Sequence, residues 1–396
     1  MSFHIRNDCR LCGGQIERCL TLPDTALANE YVATQDERQD TFPLFLARCS
    51  SCQHVELPVI VDPERLFRDY AYRSSTAPSF VEHLKRFAQD VQPKPNGYGD
   101  ELVVEIGSND GTLLAEYARR GCRTMGIDPA SNLAAIALRK YGIHTVIGFF
   151  TRDWAVENFV HYGNLADLIV ANNVFAHADD IADIARGVKA MLAADGTFVF
   201  EVGYLPDMLE RGLYRVIYHE HLSYHHLRPL VAFFDRLGLC LFDAHRVDTQ
   251  GGSIRCFVAH SPAPRTGRLD RLLDAETPEA LRVERLADRI KQDRLLIRAQ
   301  LAEFKAEGKL VCGYGAPAQL TTLCAALGLT RDDIAFVVDD NPAKVGKFTP
   351  GTHIPIVAID ELYGPRAPYA CVIFSANFKD EILDRHAAYA GEWVTL

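Results

Sequence analysis

The sequence predicts an α/β protein: a small zinc-ribbon-like module followed by two doubly wound, Rossmann-like α/β domains. Three observations carry this. Two CxxC pairs stand within the first 60 residues. A strand runs into a glycine-rich turn and a helix at Val103–Gly111 (VVEIGSNDG), opening a series of alternating strands and helices, and the same alternation resumes near Lys309 after a long charged helix. The expected units are residues 1–66, 67–204 and 205–396, with the second Rossmann-like half starting at about residue 308.

The N-terminal unit shows little helical periodicity, so a ligand clip must supply its order. Cys9 and Cys12, then Cys49 and Cys52, give CxxC-x36-CxxC. Each CxxC lets two thiolates of one tight turn reach the same ion, and two such turns complete a tetrahedral all-cysteine site suited to a structural Zn2+. Residues 13–48 must then form an insertion between the knuckles.

After the polar stretch Val91–Gly99, Glu101–Glu105 reads as a buried parallel strand and a helix follows from about Thr112. Cys122–Ile127, Asp167–Ala171 and Gly196–Val202 are the next strands, with amphipathic helical runs between them. Strand-like runs recur at Leu239–Val247 and Ser253–Ala259, and a long helix is expected over about Pro278–Glu307. Lys309–Gly315, Asp333–Asp339 and Ala370–Phe374 then give the strands of the second half.

Composition narrows the function. Lys plus Arg total 42 against 52 Asp plus Glu, a formal charge of −10 that opposes a polyanionic partner, so no nucleic acid is expected. No run of about 20 apolar residues and no basic-then-apolar start is present, so no membrane partner is expected and the cytoplasm is the expected location. Eleven cysteines, four of them in CxxC pairs and others in apolar strands, fit metal ligation plus buried thiols better than disulfides. Three self-sufficient units are compatible with a monomer.

The turn after Val103–Glu105 carries Gly107 and Gly111, where backbone approaches a ligand and the next helix presents N–H groups to an anion such as the carboxylate of S-adenosylmethionine. Asn109 takes the middle position of a GxGxG pattern, which argues against a tightly held dinucleotide pyrophosphate. Asp128 ends the next strand at the position where a ribose hydroxyl pair is gripped. Glu105 would lie under the cofactor and Asn172 at the carboxyl edge of its strand. Phe150 reads equally as an adenine neighbour or as core.

Tyr218-His219-Glu220-His221 continues to His225 and His226, placing four of the 14 histidines within eight residues. Buried imidazoles need partners for both nitrogens, so such density points to an active site rather than packing. A carboxylate beside a histidine can orient the ring and raise its basicity, as abstraction of a weakly acidic proton demands, and Glu220 with His221 is the favoured pair.

In order along the chain, CRLC with CSSC, VEIGSNDG and YHEHLSYH resemble the sugar C-methyltransferases that add branching methyls to nucleotide-linked keto-deoxysugars in antibiotic and surface-polysaccharide pathways. The resemblance extends to Tyr70–Ser75, Asn172–His177, Gly251–Arg255, Gly313–Ala316 and Pro350–Ile356, and so covers essentially the whole chain. It implies a zinc-binding module, a central S-adenosylmethionine domain and a C-terminal domain that helps hold a nucleotide-diphosphate keto-deoxysugar. By the same resemblance His221 matches the catalytic base, with Glu220 and Tyr218 beside it, and Tyr72 and His177 match residues lining the sugar. The implied reaction is methylation at C-3 or C-5 of a 4-keto-6-deoxysugar through an enolate.

The chain departs from the family pattern after the GYGA turn. Gln319, Leu320 and Thr321 replace a Lys-Gly-Asn run, and Ala376 replaces a Trp before Asn377, which leaves the nucleotide open. The alternatives are a methyltransferase of this architecture acting on another keto substrate, or on oxygen or nitrogen, and a non-catalytic zinc-ribbon binding protein. A nicotinamide reductase built on Gly313–Gly315 is disfavoured by the missing third glycine.

Overall fold

The chain's first strand, β1 (Phe3–Ile5), pairs antiparallel with β5 (Val59–Val61) and so closes the N-terminal module on itself. The computed structural model describes residues 3–95, 97, 99–159, 165–364 and 367–395. Between β1 and β5, strands β2 (Ile16–Thr25), β3 (Phe42–Cys49) and β4 (Val55–Glu56) form an antiparallel sheet. Its fourth strand comes from far along the chain: β11 (Ser223–Tyr224) pairs with β4, Ser223 opposite Glu56.

Two helices, α1 (Pro63–Phe67) and α2 (Pro78–Asp90), lead into the central unit. Proline opens each at the first turn, where its missing N–H costs nothing. The unit then alternates β6 (Leu102–Ile106), α3 (Thr112–Ala118), β7 (Arg123–Asp128), α4 (Ser131–Tyr141), β8 (Thr145–Ile147), α5 (Arg152–Asn158), β9 (Ala166–Asn172), α6 (Ile181–Met191) and β10 (Leu192–Gly203). After α7 (Leu205–Glu210), β11 and α8 (Leu227–Arg236), strands β12 (Leu239–Val247) and β13 (Ser253–His260) return to the same sheet.

The strand order is β12-β13-β10-β9-β6-β7-β8, with β13 antiparallel to both neighbours and the rest of the contiguous ladder parallel. Every residue of β6 is buried, as a central parallel strand covered on both faces requires. The expected boundary at residue 204 thus falls inside one sheet: β13 pairs with β10, Ser253 opposite Gly203, and carries β12 with it as the edge strand, a long-range pairing that periodicity within a segment does not encode.

The C-terminal half follows α9 (Gly267–Ala275) and α10 (Arg285–Ala306). The long helix begins later than the expected Pro278. Strands β14 (Val311–Tyr314), β15 (Val337–Val338), β16 (Ile356–Val357), β17 (Ala370–Ile373) and β18 (Glu392–Thr395) form an all-parallel sheet ordered β16-β15-β14-β17-β18, with α11 (Gln319–Leu327) and α12 (Lys379–Arg385) among the connections. Of the expected strand Asp333–Asp339, two residues pair as β15. All eleven cysteines are free, and Cys312 and Cys371 sit opposite one another, fully buried, on β14 and β17. Among the described residues no helix is long and apolar enough to cross a membrane.

One apolar core runs between the N-terminal module, the Leu205–Tyr224 segment and the C-terminal half, joining Leu44, Leu46 and Leu57 with Ile217, Leu320 and Val337. The Tyr31 hydroxyl donates to the Ala316 carbonyl at 2.6 Å, and Val32 and Phe348 bridge as a β-pair. The three units therefore enclose a shared space.

Candidate active site

That space is a cavity of about 750 Å³, lined at the central sheet by Glu105, Gly107, Asn109, Asp128, Phe150 and Asn172 and also by Tyr72, His177, Tyr218 and His221. The first set comes from the carboxyl ends of β6, β7, β8 and β9, where open α/β sheets bind ligands. Gly107 has φ +70°, and a Cβ there would come within 2.2 Å of Val174 Cγ2. Gly111 has φ +77° and caps α3; a Cβ there would meet Ala137 on α4 at 2.9 Å, so Gly111 serves helix packing and lies off the cavity wall.

Asp128 accepts the Asn109 N–H on one carboxylate oxygen and the Ala130 N–H on the other, each at 2.8 Å. Burial pushes its carboxyl up from the usual range, while these two bonds oppose the shift. Beneath it, burial and the nearby Asp128 and Asp110 push the Glu105 carboxyl well above its ordinary value, and Glu105 Oε2 has no partner. Both amide atoms of Asn172 are likewise buried without hydrogen bonds. Unsatisfied buried polar atoms on a cavity wall cost about 1–3 kcal/mol each unless a ligand meets them, so this donor and acceptor set fits a polar, hydroxyl-bearing cofactor such as S-adenosylmethionine. Phe150 plays both expected parts, lining the cavity while packing on Trp154 and closely over Gly187.

Elsewhere along the cavity, the 3-10 turn Tyr214–Val216 brings the chain to His221. His221 Nδ1 lies 2.8 Å from the Val216 carbonyl oxygen and so carries the proton, leaving Nε2 as the acceptor nitrogen. The ring stacks with His177 (5.0 Å between centroids) and lies 4.1 Å from Tyr218. Burial pushes the imidazole down to about 4. His177 is in turn stacked parallel on Phe67, and burial, then His221, pushes it well below its usual value.

Glu220 does not orient His221. Its carboxylate accepts the Asn29 amide at 2.6 Å and the Tyr70 hydroxyl at 2.7 Å, and it lies outside the cavity lining. Burial pushes its carboxyl up to about 7 against those two bonds. The physical reason is the turn at Tyr218–His221, where the His221 N–H bonds the Tyr218 carbonyl and the two side chains diverge. Asn29 was missed from sequence because nothing local marks it, and Tyr70, though inside the Tyr70–Ser75 segment of the resemblance, was not linked to Glu220, which lies 150 residues away.

Of the four clustered histidines, His221 alone lines the cavity. His219 is buried on the Pro43 carbonyl, and His226 bridges Glu276 and the Gln53 carbonyl. His225 is stacked between His54 and Phe175. Three of them therefore seat the segment on the N-terminal module, a packing role that density alone did not suggest.

The C-terminal half repeats the acid device. Asp339, just after β15, accepts the Ala316 N–H at 2.7 Å and the Asn341 N–H at 2.8 Å, as Asp128 accepts those of Asn109 and Ala130. Lys344 Nζ donates to the Ala316 carbonyl at 2.9 Å, and Asp339 and Lys344 both line the same cavity.

The ligand atoms of Cys9, Cys12, Cys49 and Cys52 lie within 4.8 Å of one another. In each knuckle a backbone N–H points at sulfur, Gly14 to Cys12 (3.4 Å) and Cys52 to Cys49 (3.5 Å). Four convergent thiols with N–H donors fit a tetrahedral metal site.

Three family models match consecutive segments: "Putative zinc binding domain" over residues 9–67, "Methyltransferase domain" over 72–242 and "C-methyltransferase C-terminal domain" over 248–396. C-methyltransferase NovU of Streptomyces niveus is 34% identical over 393 residues, covering 97% of this chain and 93% of NovU. The chain belongs to the C-methyltransferase family. This C-methyltransferase is S-adenosylmethionine-dependent, with three domains in the order the sequence predicted. It also matches the ubiquinone biosynthesis O-methyltransferase of Actinobacillus pleuropneumoniae serotype 5b, at 28% identity over 28% of this chain and 49% of that protein. Among solved structures, the PH0226 protein of Pyrococcus horikoshii aligns at TM-score 0.39 and 14% identity, over 50% of this chain and 98% of that one.

Proposed function

We propose that this methyltransferase acts on a carbon next to a ketone of a nucleotide-linked 4-keto-6-deoxysugar, at C-3 or C-5, with His221 as the base. The observation that carries this is the His221 ring: its Nδ1–H is committed to Val216, so Nε2 is the acceptor, on a cavity shared with Asn172 and Asp128.

In this reading the Cα–H bond breaks, its proton passes to His221 Nε2, and the electron pair enters the ketone to give an enolate. Burial keeps the imidazole neutral and able to accept over the physiological range, and the developing enolate charge favours the imidazolium that forms. Tyr72, Tyr218 and His177 line the sugar. Glu105, Asp128 and Asn172 would hold S-adenosylmethionine, which when bound supplies an electrophilic sulfonium methyl for the enolate carbon. The four cysteines would hold a zinc with no open position, so its part is structural. Asp339, which repeats the acid device, favours a ribose hydroxyl pair and so a nucleotide in the C-terminal half, with Lys344 ion-paired to it at 3.3 Å.

The test is turnover in deuterated water with thymidine- and guanosine-diphosphate 4-keto-6-deoxysugars, followed by product NMR. A new C-methyl on a carbon that has lost its proton is expected. An O- or N-methyl product sinks the reading.

A further inference from the structure

We propose that Asn109 is a positioning residue: its side chain ties the Tyr70–Ser75 strap across the cofactor turn and thereby sets Tyr72 on the substrate side of the cavity. Residue 109 has φ +51°, a conformation that glycine adopts at least cost. The asparagine here gives its side chain to the strap. Its Oδ1 accepts the Ser74 N–H at 2.9 Å and the Asp110 N–H at 2.9 Å, and its Nδ2 donates to the Tyr72 carbonyl at 3.2 Å. Its backbone N–H meanwhile bonds Asp128. One residue thus contacts the strand-end acid through its backbone and the Tyr72 segment through its amide.

Besides the Asn109 contacts, the strap is held at the Tyr72 side chain, which has a hydrogen-bond partner in Gln250. Residues 68–77 form no helix or strand, and Tyr72 is 41% exposed, its ring resting edge-on near Phe80 at 6.5 Å. Ser75 N–H donates to Asp110, whose other oxygen takes the Thr112 hydroxyl. At the strap's start the Tyr70 carbonyl accepts the Asn132 amide, and the Tyr70 hydroxyl reaches Glu220, next to His221. The strap is therefore pinned to the cofactor turn at one end and to the base-bearing loop at the other. Losing the Asn109 amide removes two of the bonds at the end that carries Tyr72 and leaves those of Ser75 to Asp110 and Tyr72 to Gln250, so that end loosens.

The substrate arm of this inference rests on the function proposed above; two other arms do not. Asn109→Gly keeps the positive φ and the N–H to Asp128 while deleting the amide. Calorimetry with S-adenosylhomocysteine should give a Kd within about threefold of wild type, and amide exchange over residues 70–76 should quicken about tenfold or more, as two strap hydrogen bonds are lost. With the keto-deoxysugar nucleotide, KM should rise about tenfold. Asn109→Gly and Tyr72→Ala should be non-additive in kcat/KM, because one acts through the other. Unchanged exchange, a cofactor Kd that weakens as much as KM rises, or additive effects would each overturn the assignment. If wild type turns over no sugar nucleotide, the functional reading fails, while exchange and calorimetry still decide the pin.

Discussion

Val216 and His221 are joined by a hydrogen bond: a carbonyl five residues earlier holds Nδ1–H at 2.8 Å and leaves Nε2 as the acceptor nitrogen, the one that would take the proton in the proposed reaction. His221→Ala should lower kcat by about a thousandfold or more while leaving S-adenosylhomocysteine affinity within about threefold, since a base acts only in the chemical step. Steady-state kinetics with calorimetry checks both halves, and near-wild-type turnover removes His221 from the mechanism.

Glu220 makes stability depend on pH in a defined direction. Its folded carboxyl titrates at about 7, above the value of an unfolded glutamate, so the folded state holds the extra proton. The stability this provides is full below about pH 4.3 and is lost as pH rises through about 7, a change on the order of 3–4 kcal/mol. Glu220→Gln, which like the protonated acid offers one acceptor oxygen and one donor and never ionises, should therefore gain on wild type between pH 5 and pH 8 in chemical denaturation. An offset that is equal at the two pH values refutes the assignment.

Asn172, with two buried and unpaired amide atoms on the cavity that Asp128 also lines, should matter to cofactor binding alone. Asn172→Ala is expected to weaken S-adenosylmethionine about tenfold with sugar-nucleotide KM little changed. A cofactor Kd that does not move, measured by calorimetry, would place the cofactor elsewhere.

The cysteine knuckles reach the active site through β4, which pairs with β11 three residues after Glu220. Replacing Cys9 and Cys12 together by Ser should reduce bound zinc from about one equivalent to none and abolish turnover with it. Metal analysis of purified protein decides: zinc retained at the wild-type level rules out these ligands.

The sequence by itself determined the CxxC spacing, the alternating strands of both halves, the turn at Gly107 and the acid at Asp128. These are written locally, in backbone conformation, periodicity and spacings of a few tens of residues at most. It could not show that β12 and β13 rejoin the central sheet or that β11 completes the N-terminal one, because strand order depends on pairings between distant segments. It picked out His221, but it could not show that the other three clustered histidines are packing residues, or assign Glu220 to Asn29 and Tyr70 rather than to the adjacent histidine. Those partners lie 191 and 150 residues away. Only packing of the three units around one cavity brings their side chains within bonding distance, and burial there, rather than residue type, sets the proton affinities of His221 and Glu220.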